Sequence, residues 1–244
     1  MFEELDSSST PLGELILRRR TMLSLDHLEV YEIILGDEYL MSSLFTTVEI
    51  ALSDLGLEAA ARQFPNENSL EVLVGGLALR NTARAALAHE QLGSLLVVDY
   101  LEPVIEWHEK GLVPLGPELS SDARCRFVHG DFFRLALRPE TGFDPETLSR
   151  KFHAILLDID HSPDKLLHEQ HGDFYSAAGL KTFASQLQPG GVFAMWSDDP
   201  PEQRFMAALE SAFVSVEAQV VSFFNPLLET DSESTVYVAI APGV

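Results

Sequence analysis

Acidic residues recur at the ends of short apolar runs in this chain, and that placement is where chemistry could sit. Leu70-Glu71-Val72-Leu73-Val74 runs into Gly75-Gly76. The run from Ser94 ends on Asp99, the run from Cys125 on His129-Gly130-Asp131, and the run from His153 on Asp158-Ile159-Asp160-His161. In an open parallel sheet, ligands bind beyond the carboxyl ends of the strands. These ends would therefore bring several carboxylates to one rim, suited to ribose hydroxyls, an adenine amino group and a positive charge. Like charges held close raise at least one carboxylate pKa, so Asp158 and Asp160 could include a proton acceptor for an amine. Each acid alone has a plainer reading, because Asp also starts turns and caps helices. Ser162-Pro163 fits that reading locally, as a cap followed by a first helical residue. Repetition across strands is what favours a site. His153, His161, His168 and His171, with Asp173 nearby, could ligate a metal. His168-Glu169-Gln170-His171 lacks the i,i+4 spacing of a zinc-binding helix, however; these residues read as a solvated helix, and no metal is expected.

The elements that must position these residues alternate. Strands are predicted at Leu70–Val74, Ser94–Asp99, Cys125–His129, His153–Leu157 and Gly191–Trp196, and helices at Asn81–Glu90, Pro103–Lys110, Phe174–Gln188 and Pro201–Phe213. Apolar, β-branched runs separated by helices describe a parallel sheet buried on both faces. Gln219–Phe223 and Thr235–Ala241 read as a closing antiparallel pair. The expected fold is α/β, a doubly wound, mostly parallel sheet with helices on both faces. Before it comes a small N-terminal β region, residues 1–42, with the main domain at 43–244. Met1 to Thr10 is polar and reads as frayed, and strand-like runs follow from Gly13 to about Leu40. Arg18-Arg19-Arg20 reads as a solvated strand end, with an acidic ligand or a partner subunit as alternatives. Leu44, Val48, Ala51, Leu52 and Leu55 repeat at helical spacing, and Gly56 or the Pro65-Asn66-Glu67-Asn68 loop ends that helix. Arg138 to Arg150 reads as a surface excursion.

Totals narrow the function classes. The chain has 244 residues, 46% of them hydrophobic, enough for one full core and a small appendage. Its 16 basic and 38 acidic residues give a formal net charge of −22. Such a field repels phosphate backbones, which argues against nucleic acid, and attracts small cationic amines; excess acid also simply keeps a protein soluble. The single cysteine, Cys125, fits a reducing compartment. No run is long enough to span a bilayer, and Met1-Phe2-Glu3-Glu4 carries no signal-peptide pattern. A cytoplasmic protein is the expectation.

Several segments, in order, resemble one family. Val72-Leu73-Val74-Gly75-Gly76-Leu77, Val104-Ile105-Glu106-Trp107, Gly111-Leu112-Val113-Pro114-Leu115, Asp122-Ala123-Arg124, Gly130-Asp131, Leu156-Leu157-Asp158-Ile159-Asp160-His161-Ser162-Pro163, Phe174-Tyr175 and Pro189-Gly190-Gly191-Val192-Phe193 are similar to spermidine synthases and their shorter bacterial relatives. The resemblance runs from about Leu12 to Pro242. It implies the S-adenosylmethionine methyltransferase fold, commonly as a homodimer, and a donor that is S-adenosylmethionine or its decarboxylated form. It further implies that Asp158 deprotonates an attacking amine, with Asp160 and Tyr175 lining the amine channel and His161 and Glu49 beside them. Gly75, Gly76, Leu77, Asp131 and Phe132 would hold the nucleoside. Counting back from Pro103 puts the family's ribose-binding acid at Tyr100, next to Asp99. Neighbouring strand positions face opposite sides, so Asp99 could point away from the rim; both stay candidates.

The chain also departs from the family. Full spermidine synthases carry Gly-Gly-Gly-Asp-Gly-Gly in the first loop, where the Asp grips the donor's amine. Here the loop reads Gly75-Gly76-Leu77-Ala78-Leu79-Arg80-Asn81, with no acid and with bulky Leu79 and Arg80. Arg80 could instead meet the carboxylate of ordinary S-adenosylmethionine, which favours methyl over aminopropyl transfer. The alternative expectation is a non-catalytic relative with a degenerate donor site, acting as a binding or scaffold protein.

Overall fold

A computed structural model describes residues 2–79, 81–114 and 116–243. The first sheet is antiparallel, in the order β1 (Phe2–Thr10), β2 (Gly13–Met22), β3 (Leu28–Leu35), β4 (Glu38–Ser42). Helix α1 (Thr47–Gln63) follows. Alternation then begins: β5 (Leu70–Gly75), α2 (Asn81–Leu87), β6 (Leu92–Asp99), α3 (Glu102–Glu109), α4 (Gly116–Ser121), β7 (Cys125–His129), α5 (Phe132–Ala136), β8 (Phe152–Leu157). The chain continues through α6 (Gly172–Tyr175), α7 (Ala177–Ala184), β9 (Leu187–Ser197), α8 (Gln203–Glu210), β10 (Ser215–Asn225) and β11 (Thr230–Ile240).

The second sheet has seven strands in the order β10-β11-β9-β8-β5-β6-β7. β5 to β9 pair in parallel, and β11 runs antiparallel to both β9 and β10. This is the doubly wound, mostly parallel sheet expected from the sequence. Alternate residues of each central strand feed opposite faces. Val72, Val74, Leu95 and Val97 join a core under α1, α2 and α3. Leu73, Leu96, Val98 and Ile155 join a second core, rich in phenylalanine, under α5 to α8. Two buried faces explain why these strands read as continuous apolar runs rather than alternating ones.

The structure corrects three expectations. Residues 2–10 are not frayed: they form β1, whose polar side chains gain order from β2. Glu3 sits opposite Arg19 in the register and pairs with it at 2.6 Å. The three arginines are not a solvated strand end. Arg18 and Arg20, two apart on one face, both close on the fully buried Glu32 at 2.6 and 2.7 Å, and Tyr39 Oη donates to the same carboxylate. The segment 174–188 is not one helix. Ser176 adopts an extended backbone and its Oγ accepts the Gly179 N–H, capping α7, while Leu187 already belongs to β9. Helix α1 runs through Gly56 and ends ahead of Pro65. The excursion from Arg138 is anchored by buried Phe143 and Asp144, the latter paired with Arg126 and Arg150.

Candidate functional site

Strand order reverses at β5, with β6 on one side and β8 on the other. A doubly wound sheet opens its ligand crevice at such a switch point. Here the crevice is a cavity of about 770 Å³ beyond the carboxyl ends of β5, β6 and β8. Ile33 and Met41 of the first sheet close one side, and Phe223 and Ser232 of the β10–β11 hairpin close another.

The loop after β5 is tightly stitched. Gly76 N–H donates to Val98 O, and Asp158 N–H to Gly75 O, each at 2.9 Å. Gly76 has φ +94°, and a side chain there would collide with the Asp158 carbonyl. A Cβ on Gly75 would fall 2.5 Å from the Phe132 ring. The paired glycines thus serve both a turn and two close approaches. Asp99, at the end of β6, holds the same loop. Its Oδ2 accepts the Leu77 N–H at 2.8 Å and its Oδ1 the Leu101 N–H at 2.7 Å. Burial raises its pKa, and these backbone donors oppose the rise. Asp99 nevertheless lines the cavity, as does the more exposed Tyr100. Leu77 is buried and contributes its backbone rather than its side chain. Leu79 is buried in the core and its N–H points to Met41 Sδ, so it does not fill the crevice. Arg80 lies outside the described residues.

Asp131 caps α5, its Oδ1 accepting the Arg134 N–H at 3.1 Å, and lines the cavity together with buried Phe132. Across from them stand Asp158 and Glu49. Thr82 Oγ1 donates to Asp158 Oδ2 at 2.7 Å. Burial raises the Asp158 pKa, and the Thr82 hydroxyl opposes the rise. Glu49 is pushed up to about 8, first by burial and then by the charge of Asp158, with Asn81 opposing. Its buried Oε2 has no hydrogen-bond partner among the described residues. Two carboxyls brought together out of water cannot both ionise easily. Burial and mutual repulsion thus favour keeping a proton on the pair above the ordinary carboxylate range.

Asp160 and Tyr175 come together, but behind the cavity wall. Tyr175 Oη donates to Asp160 Oδ2 at 3.0 Å, and both side chains are buried. His161 lines the cavity, its ring 6.4 Å from that of Trp196. The structure therefore gathers Glu49, Gly76, Asp99, Tyr100, Asp131, Phe132, Asp158 and His161 around one space, and sets Gly75, Leu77, Asp160 and Tyr175 just outside it. Sequence reasoning missed Thr82. Its signal was faint: a hydroxyl in the first turn of the helix after a glycine loop. Among the described residues no group of side chains could hold a metal ion, and no helix is long and apolar enough to cross a membrane.

The raised Glu49 carboxyl has a consequence for stability. The folded chain keeps a proton that the unfolded chain releases at the ordinary 4.5. Stability from this group is therefore complete below about pH 4.5 and falls as pH rises through about 8. Glu49→Gln keeps the neutral form at every pH. It is expected to match the parent at pH 5 and to exceed it by about 2–4 kcal/mol at pH 9. Urea melts at the two pH values check this; an equal difference at both would refute it.

No family model matches the chain, and no curated protein matches its sequence. Solved structures do. Spermidine synthase from Thermotoga maritima superimposes with a TM-score of 0.67 at 16% identity, covering 97% of this chain and 72% of that one. A spermidine synthase in complex with the transition state analogue AdoDATO gives 0.68 at 16%, covering 97% and 73%. A probable spermidine synthase from Corynebacterium glutamicum gives 0.63 at 13%, covering 96% and 79%. Over nearly its whole length, the chain has the fold of the spermidine synthases, a methyltransferase-like sheet preceded by a small β-sheet.

Proposed function

We propose that the chain is a transferase that takes an S-adenosyl sulfonium donor and moves an aminopropyl or methyl group to a small cationic amine. The observation that carries this reading is the buried Glu49–Asp158 pair on a cavity at the sheet's switch point, beside the Gly75-Gly76 turn. A sulfonium is already an activated electrophile, so the protein needs chiefly to orient the partners and remove one proton. In the proposed reaction Asp158 takes a proton from the bound ammonium group. The freed nitrogen attacks a carbon bonded to sulfur, the C–S bond breaks, and its electron pair stays on sulfur. Asp131, Phe132 and the turn would hold the nucleoside. The excess of acid draws the cation in.

Thermal melts with S-adenosylmethionine, its decarboxylated form and methylthioadenosine test the reading. At 100-fold over Kd, a bound donor adds about 2.7 kcal/mol, a rise of roughly 5–10 °C for a chain this long. The form giving the larger shift distinguishes methyl from aminopropyl transfer. A binding or scaffold role is the second reading, and one observation favours it: both oxygens of Asp99 are engaged by backbone N–H groups. No shift with any of the three compounds at millimolar concentration would select it.

A further inference from the structure

One cluster on the cavity wall remains unassigned. His171 ends the short turn Glu169–His171 ahead of α6 and lines the cavity. Its Nδ1 lies 2.9 and 3.0 Å from the two oxygens of Asp160. Asp160 also accepts the Leu167 N–H at 2.8 Å and the Tyr175 hydroxyl. Burial and the neighbouring Asp160 hold the Tyr175 hydroxyl well above its usual pKa, so it stays a donor. The imidazole lies nearly flat on Phe133, with ring centroids 3.8 Å apart and planes 19° from parallel. Both its edge and its plane are therefore fixed.

A carboxylate that accepts at Nδ1 puts the proton there and leaves Nε2 with a lone pair. Nε2 has no hydrogen-bond partner among the described residues. We propose that His171, oriented by Asp160, is a further ligand-contacting group of the cavity, which accepts a hydrogen bond from a ligand N–H at Nε2. Ligand contact rests on the transferase reading; the orientation does not. Asp160 and Tyr175 then act as positioning residues. They stand to His171 as the third member of a hydrolytic triad stands to its histidine. The N–H has two sources, the amino group of an adenine-type base and the acceptor amine. The Glu49–Asp158 pair is tied to Asn81 and Thr82 of α2, whereas His171 is tied to Phe133 of α5 and Tyr175 of α6. A ligand spanning the cavity can meet both.

Two measurements on the full chain test this. The first is a long-range proton–nitrogen spectrum of the histidine rings at pH 8 without ligand. The resonance lost in His171→Phe is expected in the Nδ1–H tautomer, and Asp160→Asn, whose amide can donate to Nδ1, is expected to turn it to Nε2–H. Finding the parent His171 as the Nε2–H tautomer overturns the proposal whatever the chain's activity. The second is a set of melts with methylthioadenosine and with spermidine, used as separate probes. One of the two shifts should fall to less than half in both variants, and which one identifies the source of the N–H. A parent that binds either probe while both variants keep the full shift overturns the contact. A parent that binds neither sinks both the transferase reading and the contact, and the spectrum then decides the orientation alone.

Discussion

Asp158→Asn is expected to lower turnover by roughly 10²–10⁴ while leaving the donor-induced melting shift largely intact. The replacement has the same shape, and its amide oxygen can still accept the Thr82 hydroxyl that Asp158 accepts at 2.7 Å. The ability to take a proton is removed, together with the negative charge. The fold should not suffer, because burial already disfavours the ionised carboxylate. The change also withdraws the neighbouring charge that helps to raise Glu49, so the Glu49 pKa should fall from about 8. Single-turnover rates, together with melts against the best-binding donor, separate the possibilities. Loss of both turnover and shift would mean that Asp158 holds the ligand rather than the proton. Unchanged turnover would remove it from the chemistry.

Gly76→Ala is expected to cost about 3 kcal/mol or more and to abolish donor binding. Two penalties combine. Residues with side chains are disfavoured at φ +94°, which costs of order 1–3 kcal/mol. In addition, the new methyl would drive into the Asp158 carbonyl, so β5 and β8 must separate where the acid pair is built. Gly36→Ala isolates the first penalty. Gly36 also has positive φ, +58°, but nothing lies within 4 Å of a Cβ placed there. It should lose only about 1–2 kcal/mol and keep full binding. Equal losses at the two positions would show that the close approach to Asp158 does not matter.

The parallel sheet was legible because its signal is local: Val72–Val74 and Leu95–Val98 are apolar on both faces, and strands buried on both sides read that way. The rim followed from topology, since strand ends must converge where the order reverses. What the sequence hid depends on partners far along the chain. The polar run Phe2–Thr10 lacks strand character of its own, and its order comes from pairing with β2. Arg18 and Arg20 look solvated until Glu32 is found between them, on the neighbouring strand. Thr82 becomes part of the site only when α2 meets the end of β8. Asp160 shows the converse. Its position two residues after Asp158 would put it on the same face of a continued strand, but β8 ends at Leu157 and the irregular backbone beyond it turns the Asp160 carboxylate away, onto Tyr175 and His171.

The order β10-β11-β9 also bears on how the protein is made. During synthesis β10 leaves the ribosome first, yet its neighbour in the sheet is β11, made after it. Until β11 emerges, the outer edge of β9 is an open template for pairing with other chains. The cavity gains its last wall, from Phe223 and Ser232, at the same moment. A nascent chain therefore closes an open strand edge and the last cavity wall in a single step, and a chaperone that shields strand edges would be needed most between the emergence of β10 and that of β11.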